Sequence, residues 1–411
     1  MKYNLIVIGG GPAGIMAAIR AGELGARVLF LEKNKSLGVK LLLTGNGRCN
    51  ITNNILDSAL MTKKFGVKGK FLLSAFSRFG VLEVLNFFEK NKVPLQIEDE
   101  GKVFPKSSQA KDVLNALLLC LKENKVEIKT NAEVKKLIKN SENKISKIVL
   151  VNGEELEAEK YIIATGGKSY AFTGSNGCGY EWLEKLGHKI IPLRPVLSPI
   201  EVKENFIKEI EGASLSDVEV FLILENKKIA SEIGDVIFTA NGLSGPAIIN
   251  LSRFVGEELE KKKSLSIKID FVPKLDLTSL DKKIENDLQV AGAQMLKNYL
   301  NNFLPPKMIL RFIFLTGIGS EKKCRDITRV ERKKIISLLK GFPLMVQGVS
   351  GYERAMLTAG GVDLKEVDPK TMRSKIITNL YLAGEILDLN GPTGGYNLQV
   401  AWSTGYVAGS L

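Results

Sequence analysis

Three glycines and one acid offer the first chemistry. Gly9, Gly11 and Gly14 follow the apolar run "NLIVI" (4–8), and Glu32 ends the next apolar run, "RVLFLEK", 18 residues after Gly14. Glycines at this spacing let a backbone approach a pyrophosphate, and the N-terminus of a following helix attracts its charge. A carboxylate at the end of the next strand accepts hydrogen bonds from ribose hydroxyls. An acid at 32 disfavours a 2′-phosphate, so NADP is not expected at this loop. NAD and FAD both remain open on these residues alone.

Three further stretches gather small, polar and charged groups. "LGVKLLLTGNGRCNITNN" (37–54) holds Lys40 and Arg48 around a Thr-Gly-Asn-Gly string, which suits a cradle for phosphate or an electron-rich ring. Thr165, Gly166 and Gly167 turn at the carboxyl end of the apolar run "KYIIAT" (160–165), where ligands of doubly wound sheets bind. "GEILDLNGPTGGYNLQVAWSTG" (384–405) has two acids, Glu385 and Asp388, for sugar or ribityl hydroxyls. Its Gly-Gly step can open a helix whose N-terminal N–H groups stabilise developing negative charge.

These groups need elements to hold them. "NLIVI", the small-residue helix "GPAGIMAAIRAGELG" and "RVLFLEK" form a strand-helix-strand unit, which makes a right-handed parallel crossover. A helix over 109–123 with a strand at 125–130, a strand at 160–165 and a last strand at 379–384 extend it. From 192 the pattern changes. "DVEVFLIL" and "SLSIKIDF" read as antiparallel strands, the second with Leu265, Ile267, Ile269 and Phe271 on one face. Residues 278–340 read as mainly helical, with Thr328 and Glu331 as a capping box.

Composition bounds the rest. The 411 residues suffice for two or three domains, and no stretch approaches the ~20 apolar residues of a bilayer span. A cytoplasmic protein without a membrane partner is expected. Cys49, Cys120, Cys178 and Cys324 form no C-x-x-C pair, and the single His188 gives no histidine cluster, so no metal site is expected. His188 itself reads as a helix-end or core residue. The net charge of +13 admits nucleic acid or anionic substrates. The lysines fall in short clusters such as 261–263 and 331–334, and no aromatic-basic RNA motif accompanies them. Nucleic acid is therefore not the expected partner.

In order along the chain come "VIGGGPAG", "KLLLTGNGRCNITN", "ATGGKSYAFTGSNGCGY", "FTANGLSGPAIINLS", "TAGGVDLKEVDPKTMRSK" and "LYLAGEILDLNGPTGGYNLQVAWSTGYVAG". Together they resemble, over essentially the whole chain, the bacterial flavoproteins that include the BaiN-like reductases and aminoacetone oxidases. The resemblance implies an α/β fold: a discontinuous Rossmann-like FAD-binding domain of the glutathione-reductase type, with a β-barrel insert and a helical subdomain. The corresponding boundaries are 1–191 with 342–411, 192–275, and 276–341. It implies bound FAD. The motifs place Gly9, Gly11, Pro12, Ala13, Gly14, Glu32 and Lys33, with Val134, toward the adenosine half. Lys40, Thr44, Gly45, Asn46, Gly47, Arg48 and Cys49 form the second group of cofactor contacts, and Thr165, Gly166 and Gly167 the third. Gly384, Glu385, Asp388, Gly394, Gly395, Tyr396, Asn397 and Gln399 form the last. The chain departs from the family pattern at Lys168 and at Ala171-Phe172, on the expected substrate face.

The expected activity is FAD-dependent hydride transfer between the flavin and a small or medium organic molecule, with NAD(P)H as a transient electron donor. No second strand-linked glycine fingerprint and no cysteine pair suggests a two-dinucleotide disulfide reductase. Arg48, Tyr170 and Tyr396 are the catalytic candidates, with Lys168 as a further anchoring group. Oxidase and reductase directions both occur in the family. Two other roles keep the FAD: a basic flavoprotein of the tRNA-modifying type, and a non-catalytic redox sensor. Oligomeric state is not legible.

Overall fold

The computed structural model describes residues 3–261 and 264–410, so the lysine cluster at 261–263 falls mostly outside the described residues. The chain divides into two compact units: Met1–Arg194 with Met356–Leu411, and Pro195–Ala355.

The first unit is built on a parallel sheet of five strands, in the order Leu380–Leu382, Ala158–Ile163, Tyr3–Ile8, Val28–Leu31 and Glu127–Lys129. The central strand is the run read first, and Leu5, Ile6 and Val7 are wholly buried. A strand covered on both faces cannot alternate, which explains its unbroken apolar character. Helix Pro12–Glu23 begins at a proline and buries Ile15, Met16, Ala17 and Ala18. The last helix, Tyr396–Gly409, packs along it so closely that a Cβ on Gly405 would lie 2.3 Å from the Ala13 carbonyl oxygen. A Cβ on Gly409 would lie 2.3 Å from that of Ala17. Only glycine permits this separation.

The first unit also contains two small antiparallel sheets. One joins Thr52–Asn53, Lys102–Pro105 and Leu95–Ile97; the other joins Val134–Lys139, Ile145–Leu150 and Glu155–Leu156. The expected helix at 109–123 is Ala110–Glu123.

The second unit holds a closed six-stranded barrel: Ile200–Val202, Gly242–Ser244, Lys227–Thr239, Ser214–Leu224, Leu265–Asp270 and Phe342–Val349. Leu265, Ile267 and Ile269 point inward as expected, and Asp270, on the opposite register, is also buried by an ion pair with Lys340. Two features depart from the sequence reading. A helix, Pro246–Glu260, lies within the segment read as β-rich. The segment from 342 does not return to the first unit. Phe342, Leu344 and Met345 pair with Ile269, Ile267 and Ser266, so 342–349 is the strand that closes the barrel. Closure satisfies the backbone groups that an open edge strand would leave unpaired. Helices Leu277–Val290, Pro306–Thr316 and Arg329–Leu339 lie in the chain between barrel strands Leu265–Asp270 and Phe342–Val349, the last opened by the Thr328–Glu331 capping box.

Candidate functional site

The phosphate-type loop is shaped by contact. A Cβ on Gly14 would stand 2.0 Å from the Gly9 carbonyl oxygen, and one on Gly9 would stand 2.5 Å from that of Ala164. Gly9 also has φ +109°, which other residues rarely adopt. Around Gly11 the reverse holds: a Cβ there would meet nothing within 4 Å. Gly11 is the N-cap of helix Pro12–Glu23 and supplies no side chain to cap it, so first-turn N–H groups are left for an outside acceptor. The buried Glu32 carboxylate holds the loop, accepting from the Gly10 N–H at 2.6 Å and the Asn34 N–H at 2.8 Å. Its backbone carbonyl accepts from Ala132, two residues before Val134, which is buried. Lys33 lies beside the turn at Gly174, and the Asn34 amide donates to the Thr173 carbonyl at 2.9 Å. The segment carrying Tyr170 is thus held against this end of the loop, with its ring edge-on to Phe172 at 5.6 Å.

The second and last motifs are joined to each other. Gly45, Asn46, Gly47 and Cys49 all have positive φ, a run of conformations that clusters at ligand sites. The loop is pinned by Cys49 N–H to the Thr44 carbonyl (2.9 Å) and Ala110 N–H to the Gly47 carbonyl (2.8 Å). From there the chain is tied to residues more than 300 positions later. The Asn53 amide donates to the Gly394 carbonyl at 3.3 Å, and the Trp402 indole donates to the Ile51 carbonyl at 3.0 Å. Asn50, with its amide turned to satisfy its neighbours, accepts from the Gly395 N–H at 3.2 Å. Gly395 stands so close to Thr52 that a Cβ would lie 2.3 Å from its carbonyl oxygen. The Asn397 side chain braces the turn, accepting from the Gly391 N–H (2.7 Å) and donating to the Gly391 and Pro392 carbonyls. Gln399 is committed to the core: it accepts from Thr52 Oγ1 at 2.6 Å and donates to Ser403 Oγ and the Phe79 carbonyl.

The two acids of the last motif each meet a lysine. Lys40 Nζ is 2.9 Å from Glu385 Oε2, and the other Glu385 oxygen accepts from the Thr358 N–H at 2.9 Å. Lys68 Nζ bonds both oxygens of Asp388 at 2.6 Å. Burial pushes the Asp388 carboxyl up from its ordinary value, and Lys68 pulls the other way. A Cβ on Gly167 would meet Thr358 and Glu385, so the third motif also converges here. Gly384 donates its N–H to Thr404 Oγ1 at 2.9 Å. Thr165 Oγ1, ahead of left-handed Gly166, is buried without a hydrogen-bond partner.

The three catalytic candidates each have their own neighbours. Arg48 lies over the Phe104 ring at 3.9 Å and pairs with Glu98, and its Nε is buried and unpartnered. Tyr396 opens the last helix beside Gly391 and Gly394, with Lys64 over its ring. Burial holds its phenol above the ordinary value. Tyr170 sits on the Asn34 side. Cys49 is wholly buried and its thiol is pushed up to about 12. His188 is a core residue between Glu366 and Ser374. Among the described residues no group of three or more His, Cys, Asp or Glu could hold a metal ion, and no single helix is long and apolar enough to cross a membrane.

Several positioning residues escaped the sequence reading. Asn50, Thr52 and Asn53 lay inside a quoted motif, so their polarity beside Arg48 was a usable signal. Thr358 lay in "TAGG". Lys68 carried no signal, because its partner is 320 residues away.

Comparison with known proteins adds independent findings. The family described as HI0933-like protein Rossmann domain matches residues 3–411. The chain is 32% identical to the 3-dehydro-bile acid Δ4,6-reductase of Clostridium scindens over 98% of its own length and 97% of that protein. It is 29% identical to the ribosomal RNA dihydrouridine synthase of Escherichia coli, over 98% and 96%. Among solved structures it resembles the 3-ketosteroid Δ1-dehydrogenase of Sterolibacterium denitrificans, with TM-score 0.55, 13% identity and coverage of 100% and 99%. That likeness is one of fold.

Proposed function

Because this chain belongs to the HI0933-like Rossmann family and is an FAD-dependent oxidoreductase, we propose that it reduces a carbon–carbon double bond conjugated to a carbonyl, drawing on NAD(P)H. Two relatives of different substrate class support that chemistry. One is named for reducing ring double bonds of a keto steroid acid, the other for reducing the uracil ring of RNA. In each, the bond is polarised by a ring carbonyl.

The observation that carries the cofactor reading is the space at Gly11. It opens in front of the uncapped N-terminus of helix Pro12–Glu23, and Glu32 is bonded to the neighbouring Gly10. This donor set fits FAD. Gly11 and the first turn from Pro12 hold its pyrophosphate. Glu32 has spent one acceptor site of each oxygen and keeps others for ribose hydroxyls. Glu385 and Asp388 serve the ribityl chain, and the uncapped N-terminus of Tyr396–Gly409 stabilises negative charge on the ring. When bound, FAD supplies two-electron exchange with carbon or a reduced nicotinamide. Saturating the bond also needs a proton. Tyr396, kept protonated by burial, is proposed as its donor ahead of Tyr170. Arg48 is proposed to anchor the substrate carbonyl through the exposed part of its guanidinium, because its Nε is buried.

A second substrate reading, uridine within RNA, is favoured by the net charge of +13. Anaerobic titration of the yellow protein with NADH and with NADPH separates the possibilities. Bleaching by either nucleotide, followed by recovery of colour on adding a 4,6-dien-3-one steroid acid or a uridine-containing RNA, supports the reductase and names its substrate class. Bleaching only by an amine overturns it in favour of an oxidase.

A further inference from the structure

The positive charge of this chain is concentrated rather than spread. Residues 33–82 hold nine Lys and Arg and one acid, Asp57, a net +8 of the chain's +13. Asp57 is spent locally, capping helix Ser58–Lys63 through the N–H groups of Ala59 and Leu60. The densest part is "KKFGVKGK" (63–70), four lysines in eight residues. It folds as the end of that helix and the 3-10 turn Gly66–Leu72.

This segment is fastened to the loop that leads into Tyr396. Gly69 packs against Thr62, where a Cβ would lie 1.9 Å from the carbonyl oxygen, so the turn folds back tightly on the helix. Phe65 is buried, and its ring edge would lie 2.7 Å from a Cβ on Gly391. Lys68 grips Asp388. Both contacts are to the loop that leads into Tyr396. Val67 is 90% exposed, and Lys63 and Lys70 are exposed on either side of it in sequence. Several exposed point-like ammonium groups within eight residues suit the repeated charges of a polyanion.

We propose that residues 63–70 form a docking surface for the phosphodiester backbone of RNA, delivering a uridine to the adjacent cofactor site. The proposal rests on the RNA reading above and locates its contact surface. Lys63 and Lys70 make the phosphate contacts, while Lys68 and Phe65 hold the segment to the loop before Tyr396. An anionic membrane is the competing occupant, because Leu60 and Val67 are also exposed. It is disfavoured because the apolar helix pair that begins here, Gly66–Arg78 with Val81–Lys90, is bent by 43° and spends Leu72, Phe76, Val84 and Phe88 on the protein's own core.

The test uses the FAD-loaded full chain and its Lys63→Gln/Lys70→Gln double variant, both exposed positions. A labelled uridine-rich single-stranded RNA is titrated by fluorescence anisotropy at several salt concentrations, and phosphatidylglycerol vesicles are titrated by sedimentation. FAD content per chain checks that both proteins are intact. The expected result is that the variant binds RNA at least tenfold more weakly at low salt, and that its plot of log K against log[salt] is shallower by about 1.4, from ~0.7 per lost phosphate contact. RNA binding unchanged in slope and strength overturns the surface and leaves the RNA reading standing. No RNA binding by the wild type overturns both. Loss of vesicle binding in the variant, with RNA binding unaffected, reassigns the surface to membrane.

Discussion

Thr52 Oγ1 donates a 2.6 Å hydrogen bond to Gln399 Oε1, and both side chains are wholly buried although 347 residues separate them. The bond fastens the short strand within the second motif to the helix within the last. Gln399→Leu removes the acceptor and leaves the Thr52 hydroxyl stranded, at a cost of about 1–3 kcal/mol. The expected outcome is a lower melting temperature together with weaker FAD retention, read as flavin absorbance per chain after gel filtration. Stability lost with full FAD retention would show that this bond does not support the site.

Two glycines three residues apart should fail differently. Gly14→Ala forces a methyl to 2.0 Å from the Gly9 carbonyl, so the strand and helix must separate and the variant should melt early even without FAD. Gly11→Ala puts its methyl in open space. It should melt normally in the apo form yet lose FAD affinity at least tenfold, by isothermal titration. Equal losses in both variants count against the assignment of that space.

Cys49 should be inert. With its thiol pushed up to about 12 by burial, almost no thiolate exists at pH 8. Iodoacetamide treatment of the native protein, followed by peptide mass spectrometry, should leave Cys49 unmodified until denaturant is added. Rapid native labelling would mean that the loop opens.

His188 makes a sign-definite contribution to acid sensitivity. Burial pulls its imidazole below the ordinary value of 6.5, with Glu366 acting in the opposite sense. The folded protein therefore binds this proton less readily than the unfolded chain. The resulting stability is complete above about pH 6.5 and is lost as pH falls through the lower folded value. Denaturation of wild type and His188→Gln at pH 7.5 and 5.5 should show a smaller loss in the variant. An equal loss places the sensitivity elsewhere.

What could be read in advance depended on range. The first strand-helix-strand unit and the Thr328–Glu331 cap declare themselves within a few residues, because periodicity and capping are local. Strand 342–349 also alternates, with Phe342, Leu344 and Val346 inward, but its partner begins at Leu265, and no local pattern says which sheet a strand joins. Side-chain roles behaved likewise. Gln399 and Asp388 looked alike as polar groups in a glycine-rich stretch. One is consumed by Thr52 and the other by Lys68, and only the folded chain shows that.

The seating of Gly405 and Gly409 on Ala13 and Ala17 imposes an order in time. On the ribosome the phosphate loop is made first, but its neighbouring helix follows only after almost 400 further residues. At ~5–20 residues per second that delay is roughly 20–80 s. Throughout it, the face of helix Pro12–Glu23 that receives these glycines lacks its cover. Cofactor loading is then expected only once Tyr396–Gly409 has been made, and a chain stalled before that helix should carry a finished fingerprint that cannot keep its flavin.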